Sequence, residues 1–130
     1  MRILALMLLL VPSSFALDAP LPITLGKPFT LNSSGGGTRL ARLEAARLNV
    51  GFLRVKSDSR CPVNVACVWA GDAVVEVRLS DPRWINTVQL HTTLEPRAVT
   101  ALGYRLELKT LAPERGVKGQ PKATLVLTKP

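Results

Sequence analysis

Few side chains in this 130-residue sequence are equipped for chemistry. The candidates are three acids close in sequence (Asp58, Asp72 and Glu76), one histidine (His91) and two cysteines (Cys61 and Cys67). Paired carboxylates can divide acid and base roles in glycoside hydrolysis, but that reaction usually needs a long cleft, which so small a chain struggles to supply. Any His-dependent mechanism would rest on His91. It falls in an alternating segment on the face opposite Val88 and Leu90, with no activated serine or thiol motif beside it. It therefore reads as a solvated strand residue. The chain has no GxSxG elbow, no SxxK, no HExxH and no phosphate-cradling glycine loop. The expectation is a noncatalytic protein with no catalytic residues, no metal site and no cofactor.

The cysteines enclose Pro62, Val63, Asn64, Val65 and Ala66. Redox pairs usually enclose two residues rather than five, and a tetrahedral metal site needs four ligands where only one histidine exists. An even count in an exported chain reads as a disulfide. Closing so short a loop is worth about 2 kcal/mol in the chain-entropy model, and it fixes a local turn rather than tying distant segments together.

Export is read from the start of the chain. Arg2 precedes an unbroken apolar run over residues 3–11, and Pro12, Ser13 and Ser14 break it. Ser14 and Ala16 then supply the small residues of a cleavage site, with the cut before Leu17. The apolar run is far shorter than the roughly 20 residues that span a bilayer. The expectation is a signal peptide over 1–16 and a single soluble domain over 17–130, periplasmic or secreted. The formal net charge is +8, and only Arg2 leaves with the signal. That balance favours an acidic partner. The basic residues are scattered and not interleaved with aromatics, so nucleic acid is not expected. The partner expected is a protein or an anionic envelope component, with no stable membrane anchor in the mature chain.

The elements that would position these residues are strands. Val75, Val77 and Leu79 alternate with Glu76 and Arg78. Tyr104, Leu106 and Leu108 oppose Arg105, Glu107 and Lys109, and Ala123, Leu125 and Leu127 oppose Thr124, Val126 and Thr128. Leu48, Val50 and Phe52 share a face, after which Leu53 and Val55 switch to the other through a bulge at Gly51. A weaker strand carries Val88 and Leu90. Turns fall at Gly26-Lys27-Pro28, at 33–37, at Ser80-Asp81-Pro82, at 112–116 and at 118–121. Residues 39–48 have helix-like spacing, but they run directly into a strand and read as two short strands joined near Glu44 and Ala45. The fold expected is all-β: a small antiparallel sandwich or barrel of about seven to nine short strands with one local disulfide.

The densest information lies in residues 57–77, SDSRCPVNVACVWAGDAVVEV. Read physically, it is a stapled loop feeding a central strand. Asp58 can accept turn amides, and Arg60 can pair with Asp58 or Asp72. Trp69 can pack on the disulfide, while Gly71 meets a backbone need that a side chain would violate. On this reading Asp58, Pro62 and Gly71 are structural, as are Cys61 and Cys67. The functional reading makes Arg60, Trp69 and Asp72 an exposed recognition patch, because Trp and Arg are enriched at binding hot spots.

The segment resembles a family of uncharacterised exported proteins and lipoproteins of bacteria that share a DSRCPxxVxCxWAGxA signature. Asp58, Ser59, Arg60, Cys61 and Pro62 match its first part, and Val65, Cys67, Trp69, Ala70, Gly71 and Ala73 match the rest. The likeness extends upstream through FLRV and downstream over residues 103–113. It implies an envelope location and brings no established activity. Many of these relatives carry a lipid-attachment cysteine after the signal, which this chain does not. The function expected is an exported noncatalytic binding domain of the cell envelope. The alternative is an inhibitor of an envelope or foreign hydrolase that acts through the stapled 58–72 loop.

Overall fold

A computed structural model of the chain describes residues 20–33 and 40–130. The expected signal peptide at 1–16 lies outside these residues, as does the glycine triplet at 35–37. Nine strands are present: β1 (Leu21–Pro22), β2 (Pro28–Asn32), β3 (Ala41–Leu43), β4 (Leu48–Asp58), β5 (Ala73–Ser80), β6 (Ile85–His91), β7 (Ala98–Ala101), β8 (Tyr104–Ala112) and β9 (Lys122–Thr128). One 3-10 turn, Glu44–Ala46, joins β3 to β4, so residues 41–58 are two strands around a turn. No helix among the described residues is long and apolar enough to cross a membrane.

The strands form two sheets ordered β1-β3-β4-β5-β6 and β2-β9-β8-β7. Every pairing is antiparallel except the two-residue contact of β1 with β3. The inward faces of both sheets meet in one apolar cluster, which makes this a sandwich rather than a closed barrel. The period-two pattern of β5 buries Ala73, Val75, Val77 and Leu79 completely. Leu106, Leu108, Leu125 and Leu127 supply the opposing layer.

Three bulges set which residues face the core. In the β4–β5 ladder the register slips between Phe52 and Arg54, and again between Val55 and Ser57. Leu53 is thus the extra residue, and the face switch expected at Gly51 occurs there instead. The bulge lets Val55, three residues after Phe52 and so one position out of the period-two phase, pair with Val75 and pack on the core. Gly51 has a different duty. A Cβ there would press on the Leu40 side chain, which lies over the outer face of β4. In β8 a slip between Leu108 and Thr110 brings Leu111 back to the core.

The β5–β6 connection is made by Asp81, whose Oδ1 accepts the backbone N–H groups of Arg83 and Trp84 at 2.8 Å each. At the other end of these strands, β4 passes into β5 through residues 59–72. The β6–β7 and β8–β9 connections close around that loop.

Candidate functional site

Residues 59–72 have a neck and a tip with different physics. The neck is a continuation of the β4–β5 ladder. Ser59 N donates to Asp72 O at 2.7 Å and Cys61 N donates to Ala70 O at 3.0 Å. The Ser59 hydroxyl donates to Asp72 O at 2.8 Å and accepts from Asp72 N at 3.1 Å. Gly71 has φ +71, and a Cβ there would overlap the Ser59 carbonyl. Close backbone approach at a left-handed position is a double requirement that glycine meets. Cys61 and Cys67 are bonded, with their Cα atoms 5.9 Å apart.

Two carboxylates tie the neck to its neighbours. Asp58 accepts Arg60 Nε and Nη2 at 2.9 and 2.8 Å in a forked pair, and Arg60 N at 3.1 Å. The remaining guanidinium donors reach the Leu111 and Pro113 carbonyls at 2.9 and 3.0 Å. Arg60 therefore pairs with Asp58 and not with Asp72, and it fastens the loop to the end of β8. The Arg60 hydrogen bond holds the Asp58 carboxyl below its usual value, against the opposing effect of burial.

Asp72 is buried. Its Oδ2 lies 2.6 Å from His91 Nδ1, and its Oδ1 accepts the Thr93 and Leu94 N–H groups at 2.9 and 3.1 Å. An ionised carboxylate only accepts, so Nδ1 of His91 carries the proton. Burial opposes ionisation of Asp72, and the His91 ring with the two backbone donors outweighs it, leaving the carboxyl below its ordinary value. His91 is therefore partly buried and paired, where the sequence suggested a solvated strand residue. The signal was available: the β5–β6 register, counted outward from the turn at Asp81, pairs Val74 with His91. Two steps further along it, Asp72 comes opposite Thr93.

Glu76, the third candidate acid, is held by Arg54 at 3.0 and 3.1 Å on the outer face of the sheet, which lowers its carboxyl too. A general acid working near neutral pH needs a raised carboxyl pKa. All three acids are shifted the other way, each by its own basic partner. Among the described residues no group of three or more His, Cys, Asp or Glu is placed to hold a metal. The groove between the neck and residues 111–121, lined by Val55, Arg60, Leu111, Pro113, Val117 and Pro121, encloses about 200 Å³. That is below the roughly 300 Å³ at which small-molecule sites begin.

The tip is unlike the neck. Val63, Val65, Val68 and Trp69 are 45%, 56%, 105% and 57% exposed. Trp69 is not part of the core. More than half of its surface is exposed, and Val68 beside it is fully exposed. Arg115 braces the tip from the β8–β9 connection: its O accepts Val63 N at 3.4 Å, and its Nη1 donates to Arg60 O at 3.1 Å. Of the three residues read as a recognition patch, Arg60 and Asp72 have their polar groups committed to internal partners, and Trp69 faces outward. Sequence reasoning passed over the valines, because an exposed valine and a core valine look alike until the loop is placed. Of known proteins, no family model, no curated protein and no solved structure matches this chain.

Proposed function

We propose that this protein is an exported, noncatalytic binding domain of the cell envelope, and that it meets its partner through the tip of the stapled loop, residues 62–70. The observation that carries the reading is the contrast within one loop. A neck held by the Arg60–Asp58 and Asp72–His91 contacts presents four exposed apolar side chains. Solvating a Trp and three valines together brings no folding benefit and invites aggregation. A disulfide-fixed loop also loses little conformational entropy on docking. The apolar run at the start of the chain, the disulfide and the family resemblance support export to an oxidising compartment.

The test compares immobilised wild type with a Val68→Ser, Trp69→Ala double variant against envelope extracts. Both substituted side chains are exposed, so the variant keeps its melting temperature. The reading expects a species retained by wild type and lost by the variant. Identical retention by the two proteins overturns it.

The rigidity of the loop favours a second reading, a hydrolase inhibitor whose tip enters an active-site cleft. It expects inhibition within a panel of proteases, lysozymes and amidases that disappears when Cys61 and Cys67 are both replaced by Ala. No inhibition across the panel removes it.

A further inference from the structure

The four sheet edges are not equally protected. Exposed edges invite pairing with another chain, and proteins blunt them with brevity, proline, charge or bulges. β1 is two residues long and contains Pro22, β2 opens on Pro28, and β7 has four residues. β6 has seven residues, Ile85–His91, with an uninterrupted register against β5. Between Ile85 and Leu90 it carries no charge, no proline and no bulge. Two large exposed apolar residues, Trp84 and Ile85 at 67% and 69%, stand at its start.

The direction of its free backbone groups follows from two hydrogen bonds. Thr92 N donates to Ala73 O, toward β5, whereas His91 N donates to Pro96 O on the opposite side. With the period of two along a strand, the N–H and C=O groups of Ile85, Thr87 and Gln89 point away from β5. Among the described residues, β5 is the only strand that pairs with β6.

We propose that this edge is a self-association surface, on which β6 of a second copy pairs antiparallel about a two-fold axis at Thr87. The register aligns the free groups: Thr87 faces Thr87, and Ile85 faces Gln89 in both directions, for about six inter-strand hydrogen bonds. A two-fold contact must be self-complementary, and this one juxtaposes no like charges. Thr–Thr pairs are also favourable across strands.

Charge selects a second copy over a foreign strand. A signal-free chain of net charge +7, the formal +8 less Arg2, repels itself over most of its surface, and β6 is its long neutral edge. The cation beside the axis, Arg78, is paired with Thr87 in register. Across the joined sheets it stands three strand spacings, about 14 Å, from its counterpart. That exceeds the screening length of about 8 Å at physiological salt. A capture site for an acidic segment would instead place basic side chains on the edge strand.

The test is a charge swap at the axis, read by sedimentation of the signal-free protein. Wild type is expected to dimerise. Thr87→Lys and Thr87→Glu, each alone, set like charges face to face and sediment as monomers, and an equimolar mixture of the two restores the dimer. Thr87→Pro provides a second check. The Thr87 N–H points away from β5, so proline there costs the monomer no ladder bond while blocking the added strand. A wild type that stays monomeric at its highest soluble concentration overturns the proposal. So does a dimer that survives Thr87→Lys and Thr87→Pro.

Discussion

Arg60 closes its guanidinium on the carboxylate of Asp58, two residues earlier in the chain, and reaches past it to the Leu111 and Pro113 carbonyls. One side chain thus satisfies its neighbour's charge and two carbonyls, one in β8 and one just past its end. Replacing it with alanine leaves a part-buried carboxylate and two acceptors unmatched. Arg60→Ala is expected to lower unfolding free energy by about 2–3 kcal/mol. Arg60→Lys keeps the charge without the fork and recovers only part of that. The midpoint of urea denaturation measures both, and an Arg60→Ala midpoint equal to wild type would refute the role.

Gly71 and Gly103 separate two costs of a side chain. Both have positive φ, +71 and +80, but a Cβ at Gly71 strikes the Ser59 backbone while at Gly103 it meets open space. Gly103→Ala is expected to cost about 1 kcal/mol from backbone strain alone. Gly71→Ala adds the steric conflict and costs on the order of 3 kcal/mol. Equal losses in thermal melts would mean the neck relaxes freely.

Removing the staple leaves the neck hydrogen bonds in place. Cys61→Ser with Cys67→Ser is expected to lose about 2 kcal/mol of stability and still fold to the same strand content by circular dichroism. Amide exchange then rises over residues 62–70 but not over Ser59 or Asp72. Exchange spreading into β4 and β5 would show that the disulfide, and not the ladder, builds the neck.

Acid should weaken the fold through Asp58 and Asp72. Both carboxyls lie below their ordinary value of 3.8 in the folded protein. Their stabilisation is present above the unfolded value and is lost as pH falls through the lower folded values. Stability from this source is flat near neutrality and declines below about pH 4. Asp72→Asn is expected to be less stable at neutral pH and to show a shallower acid decline. A denaturation series from pH 7 to 2 with the same slope for both proteins would contradict this.

Trp69 fluorescence tests the exposed tip directly. In a Trp84→Phe background the emission is expected to be red-shifted and quenched by iodide. A blue-shifted, protected indole would place the ring in the core and remove the tip as a binding surface.

Local pattern was enough to assign much of this protein. The alternation of Val75, Val77 and Leu79 specifies a half-buried strand wherever the strand lies, because the period of two belongs to the backbone. Polar or glycine-containing turns bounded the strands. A pair of cysteines enclosing five residues can close a loop locally. What lies beyond these is a matter of pairing between segments far apart in the chain. The division of strands between sheets, with β2 beside β9, depends on which apolar faces cover each other, and many partitions share one alternation pattern. The face switch after Phe52 announces a bulge, but its position at Leu53 rather than Gly51, and the bulge at Lys109, are fixed only against a partner strand. Asp72 and His91 meet because the hairpin register carries them together, so neither residue alone announces the contact. The division of the 59–72 loop into a braced neck and a solvated apolar tip was likewise decided by tertiary structure. Valine and tryptophan have the same affinity for a core in any sequence, and only the placement of the loop determines whether a core is within reach.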